Sequence, residues 1–134
     1  YQENDRGLSI FFSHDDAVTP ILKQWLKQRA NVTLPLMLFT IAHEMGETYQ
    51  SVSIRLQTTR WGSCSNQRRI NLNAKLLLLP ETFPRYIMVH ELAHLQHLNH
   101  SKSFWQRVAQ FEPHYLAKKK GIHAWWKQQP RWLL

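Results

Sequence analysis

The sequence predicts a single α+β domain over 1–134, in which helices come first, a small antiparallel sheet follows, and helices return. Three observations carry that expectation. Apolar residues recur at helical spacing up to about residue 45, the period drops to two between residues 51 and 73, and helical spacing resumes after Pro80. A chain of 134 residues can bury one core, and 43% hydrophobic with 19% charged residues are globular values that exclude disorder. The longest apolar run, Leu76 to Leu79, is far too short for a membrane-spanning helix. A single cysteine, Cys64, excludes an internal disulfide and, with no signal peptide in view, points to the cytoplasm. The first residue is Tyr1 rather than Met, which leaves room for upstream strands or a targeting segment. A formal net charge of +8 makes an acidic partner such as DNA a candidate for the basic surface.

The elements follow in order. Leu8 to Phe12 reads as a short edge strand, and the carboxylates of His14-Asp15-Asp16 suit the start of a helix over 17–30, with Pro20 in its first turn. Thr33 offers an N-cap with Pro35 just inside, so a second helix is expected, ending at a left-handed Gly46; the first third is then a helical pair. Val52, Ile54 and Leu56 alternate with polar residues as in a strand with one buried face. Residues 59–73 read as a hairpin, with strands Thr59 to Cys64 and Arg69 to Asn73 around the turn chemistry of Ser65 to Arg68. A short helix is expected over Leu76 to Leu79, closed by Pro80. Thr82 and Pro84 open a helix that runs to about Leu98, where Asn99 offers a left-handed exit. Ser101 caps the next helix, which carries Phe104, Trp105, Val108 and Phe111 and closes before Pro113; 113–120 is helical again until Gly121. The tail, 122–134, is Trp-rich and shows no period.

His90-Glu91-Leu92-Ala93-His94 is an HExxH pattern, and its logic is geometric. Residues four apart share a helical face, so both imidazoles reach one ion, while Glu91 is rotated off that face by about 100° and stands beside a water rather than the metal. A catalytic zinc needs a third protein ligand and one open position. His97 lies a turn too far along the axis, whereas His100, beyond the exit of the helix, has a ten-residue offset from His90 that matches a known third-ligand spacing. Metzincins carry Gly where His97 stands, so the turn here differs from theirs. The helix is apolar nearly all round, through Met88, Val89, Leu92, Leu95 and Leu98; buried histidines and a glutamate need partners, and a metal with a water cleft supplies them. One zinc ion is the expected cofactor.

Thr59-Arg60-Trp61-Gly62-Ser63-Cys64-Ser65, Arg69-Ile70-Asn71-Leu72-Asn73, HELAH at 90–94 and Asn99-His100-Ser101-Lys102-Ser103-Phe104-Trp105 together resemble the YgjP-like zinc metallopeptidases, relatives of the SprT and WLM peptidases, some of which clear proteins crosslinked to DNA. The resemblance covers about residues 18 to 116. It implies a minimal zincin-like fold with a small sheet beside the cleft, His90, His94 and His100 as zinc ligands, and Glu91 as general base. The family's upstream strands are nearly absent here, and the Trp-rich tail lies outside the shared pattern.

The expected reaction is peptide hydrolysis, with a peptide or protein as substrate and Glu91 moving the proton. The edge 59–64 is the candidate for holding an extended peptide, and Arg60, Trp61, Gly62 and Tyr115 are the candidate substrate-binding residues. Arg60, His114 and Tyr115 are candidates for stabilising the oxyanion, each weighed against an ordinary surface or packing role. Cys64 reads as a small apolar filler rather than a ligand. Trp125, Trp126 and Trp132 among basic residues suggest either a stacking surface for single strands or a cover for the core, the latter favoured. Two rival functions stay open: a DNA-associated or assembly module with a structural zinc, and a zinc amidase acting on a non-protein substrate.

Overall fold

The computed structural model describes residues 2–4, 7–9, 18–57, 60–80 and 82–129. The expected acidic helix start at His14-Asp15-Asp16, Thr59 at the start of the hairpin, and Trp132 of the tail lie outside those residues. Strands β1 (Gln2–Asn4) and β2 (Gly7–Ser9) pair antiparallel.

The expected helical pair is one helix, α1 (Val18–Met45), which carries Pro35 inside it. Burial explains the difference. Leu22, Leu26, Ala30, Leu34, Leu38, Ile41, Ala42 and Met45 are all buried and form one stripe across the proposed break, so a turn at 31–34 would split a continuous core contact. Proline supplies no N–H to the carbonyl four residues back, that of Asn31, which lies on the exposed side where water can serve. Gly46 ends the helix as expected, at φ 70°, with the Glu47 N–H donating to the Ala42 carbonyl at 2.8 Å.

The sheet is mixed rather than purely antiparallel, in the order β3-β5-β4. β4 (Gly62–Cys64) and β5 (Arg69–Asn73) form the expected antiparallel hairpin, whose turn places Arg68 at φ 63°. β3 (Ser51–Arg55) pairs with the far side of β5 in parallel, Ser51 opposite Arg69 and Ile54 opposite Leu72. The chain from β3 therefore crosses to the opposite edge before β4. Asn73 clamps that crossing: its side-chain amide donates to the carbonyls of Gln57 (2.9 Å) and Arg60 (2.7 Å), and its own N–H donates to the Trp61 carbonyl (2.9 Å).

A short 3-10 helix (Ala74–Leu78) occupies the expected position before Pro80, capped by the Asn73 side chain. The HExxH helix, α2 (Thr82–Ala93), is shorter than expected. It tightens into i→i+3 hydrogen bonds through His94, Leu95 and Gln96, and Asn99 takes no left-handed conformation. α3 (Lys102–Phe111) starts at Ser101, whose hydroxyl accepts from the Phe104 N–H at 3.3 Å, as its sequence indicates. α4 (Tyr115–Lys127) runs straight through Gly121. That glycine permits close packing instead of ending a helix, since a Cβ there would lie 2.7 Å from the ring of Phe83 on α2. α1 packs on β3 and α2 on β4, and Leu38, Leu72, Met88, Leu92, Phe104 and Val108 fill the space between elements. Among the described residues no helix is long and apolar enough to cross a membrane.

Candidate metal centre

His90 and Glu91 occupy the last full turn of α2, and His94 sits in the tightened turn just beyond it. The loop through Asn99 returns His100 to the same point. The Nε2 atoms of His94 and His100 lie 3.1 Å apart, and those of His100 and His90 lie 3.3 Å apart. His94 Nδ1 is 3.0 Å from the His97 carbonyl, which can only accept, so the proton sits on Nδ1 and the Nε2 lone pair faces the other two rings. His97 thus contributes its backbone, and its ring stays outside the cluster.

The donor set fits a zinc ion. Roughly 2.05 Å from a tetrahedral zinc, nitrogens stand about 3.3 Å from one another, close to the two separations above. Three ring nitrogens converging without an acid between them repel unless a cation or a proton joins them. Burial, then the neighbouring His94, His100 and Lys119, hold His90 far below the usual imidazole range, at about 3, which keeps it in the neutral form that ligates. Burial also lowers His94.

Aromatic rings from α3 fix this focus. Phe104 stacks on His94 with centroids 4.5 Å apart and meets His90 and His100 edge-on, while Trp105 stacks on His100 at 5.8 Å. Sequence reasoning assigns both rings only to the core of α3, because an aromatic at helical spacing carries no mark of the imidazole it supports.

Glu91 is buried beside the three rings, outside the ligating set. Burial raises its carboxyl to about 7, with Arg60 acting in the opposite sense. Gly62 of β4 lies so close that a Cβ there would stand 3.1 Å from Glu91 Cγ and 3.1 Å from the Asn71 carbonyl. Cys64, half-buried two residues on, is pushed up to about 11, first by burial and then by Glu91; it stays a neutral thiol outside the ligand group.

A cleft of about 680 Å³ opens over His90 and Glu91. Arg60, Trp61 and Gly62 form one wall, and Tyr86, one helical turn before His90, is part of the lining. Tyr115 is not: it stacks on Trp105 at 5.0 Å, and its neighbour Leu116 reaches the cleft instead. His114 sits exposed ahead of α4. The other wall is α4, through Leu116, Lys119, Lys120, His123 and Trp126; the first three fall in the helix expected over 113–120, but nothing in the sequence places that helix over the cleft. Trp126 and Trp125 close against Trp61, with centroids at 5.1 and 6.4 Å, so these two tryptophans cover the cleft's flank.

A small mixed sheet beside a helix-borne histidine pair, a third histidine and a buried glutamate is the arrangement of a metal-dependent hydrolase. A family model described as YgjP-like, metallopeptidase domain, matches residues 12–124, and the chain belongs to that family. Its fold is similar to that of the metallopeptidase zymogen of Pyrococcus abyssi, abylysin, with 28% identity and a TM-score of 0.62 over 69% of this chain and 93% of that one. It is also similar to the UTP pyrophosphatase of Escherichia coli (strain K12), 43% identical over 49 residues, or 37% of this chain. That match spans 29% of the relative's length.

Proposed function

We propose that residues 1–134 act as one zinc-dependent peptidase domain, in which His90, His94 and His100 would hold a single zinc and Glu91 is the general base. The observation that carries this reading is the convergence of three Nε2 atoms next to a buried carboxylate at the floor of an open cleft. Zinc, when bound, would acidify a water and polarise the substrate carbonyl. Glu91, buried at the floor of the cleft next to His90, is suited to the proton work: its carboxylate takes a proton from water and returns it to the leaving amine. Arg60, facing Glu91 from the wall, holds negative charge that develops on the carbonyl oxygen. The edge of β4 aligns an extended peptide by backbone pairing, and Gly62 keeps that edge in close contact with Glu91.

A second reading is hydrolysis of a phosphoanhydride in a nucleotide. It is favoured by the cations Arg60, Lys119 and Lys120 on the cleft and by the likeness to the pyrophosphatase. Turnover of zinc-loaded protein on peptides, amidated cell-wall fragments and UTP separates the readings. In each, Glu91→Gln is expected to keep its zinc and lose turnover by on the order of 10²–10⁴-fold. A Glu91→Gln variant that works as well as the parent contradicts a hydrolase and leaves a structural zinc. Contact of the basic surface with DNA is a separate proposal, motivated by the +8 charge; retention on DNA that ignores salt between low and moderate ionic strength contradicts it.

A further inference from the structure

We infer that the α4 wall of the cleft is an anion subsite, in which Lys119 and Lys120 select substrates that carry a phosphate or carboxylate group close to the bond being cleaved. The inference rests on the hydrolase reading of the metal centre and adds to it the chemistry of what enters. Leu116, Lys119, Lys120, His123 and Trp126 fall at i, i+3, i+4, i+7 and i+10, one face of the helix, and all five line the cavity that also contains His90 and Glu91.

The three consecutive lysines of α4 have different situations. Lys118 turns away from the cleft to the buried carboxylate of Glu112, where it is a structural cation. Among the described residues neither Lys119 nor Lys120 makes an ion pair. Lys119 is held instead over the Trp105 ring, 5.2 Å from its centroid, the same ring that stacks on His100. Arg60 adds a third cation from the opposite wall, and among the described residues the one acidic side chain lining the cavity is Glu91. Adjacent like charges in a concavity disfavour one another, and an anionic ligand relieves them. Trp61 and Trp126, packed edge to face at 5.1 Å, provide an apolar flank for the uncharged remainder of the substrate.

The test is calorimetric binding of two probes to the full chain, zinc-loaded and again after chelation. Pyrophosphate represents the phosphate source and tetraglutamate the carboxylate source. The double variant Lys119→Met/Lys120→Met is compared with Lys127→Met, an exposed lysine of the same helix that does not line the cleft. Both lysines of the double variant are exposed, and its melting curve checks that the fold is kept. At least one probe is expected to bind with a Kd weakened tenfold or more in the double variant and within twofold of the parent in Lys127→Met, in both metal states; the tighter probe names the source. Equal losses in the two variants, or binding of neither probe, overturn the subsite. Because binding is also read without metal, its outcome is independent of whether Glu91→Gln abolishes turnover: either result can fail while the other stands.

Discussion

The imidazole of His94 is fixed at both ends, by the His97 carbonyl on Nδ1 and by the ring of Phe104 on its face, which leaves Nε2 as its only free donor atom. His90 is fixed by burial. Its folded-state value of about 3 lies below the usual 6.5, so the metal-free fold resists protonation there. The stability this contributes is present above about pH 6.5 and lost as pH falls toward 3. Glu91 has the opposite sign: its value is raised to about 7, so the stability it contributes is present below its ordinary range and lost as pH rises through 7. Thermal melts mix the two, whereas ring NMR of the metal-free protein separates them. The His90 signals are expected to stay flat from pH 8 to 5, and a midpoint near 6.5 contradicts the burial argument. Gly62 admits an equally local test. Gly62→Ala places a methyl against Glu91 Cγ and the Asn71 carbonyl, and turnover is expected to fall by on the order of 10–100-fold with the circular dichroism unchanged. Parent-like kcat contradicts the close approach. At this scale the sequence is informative where spacing encodes geometry, as for His90, Glu91 and His94. It is silent on Phe104 and Trp105, whose packing on imidazoles depends on how the His100 loop returns.

At the scale of elements, local signals lose wherever burial opposes them. Thr33 and Pro35 form a plausible helix start, yet Ala30, Leu34 and Leu38 are fully buried on one continuous stripe, and the helix goes through. Pro35→Ala restores an N–H in the interior of α1 and is expected to raise stability by about 1–3 kcal/mol in urea unfolding; a loss of that size indicates that the proline is required for the bend or packing of the helix. Gly121 misleads for the same reason: the residue that looks like a stop is the contact point of α4 with Phe83. Caps that agree with burial are legible, as at Gly46 and Ser101. The parallel pairing of β3 with β5 is not, because alternation reports a buried face and not a partner. A polar hub also escapes a linear reading. Glu47, buried just past α1, accepts hydrogen bonds from Arg107 of α3 (2.8 Å) and from Gln96 in the turn after His94, joining the helix exit to the scaffold.

For the molecule as a whole, the metal centre links folding to chemistry. The three histidines proposed as its ligands come from the end of α2 and the following loop, against rings of α3, so an ion that joined them would stabilise the packing of both helices. Zinc at 100 times its dissociation constant is expected to add about 2.7 kcal/mol and raise the melting temperature, with chelator reversing the shift. The chain carries a net charge of +8, and Arg60, Lys119 and Lys120 line a cleft whose floor would hold a further dication, which suits an anionic substrate group. The α+β class and the family were legible because motifs over most of the chain appear in order. The α4 wall was not, since a helix brought over the cleft by tertiary packing leaves no mark in spacing near the motif. Zinc K-edge X-ray absorption on the loaded full chain tests the convergence of the three histidines most directly. Three imidazole nitrogens and one or two further oxygen ligands near 2 Å are expected; a sulfur neighbour near 2.3 Å, or a fourth imidazole closing the ion to water, would contradict it.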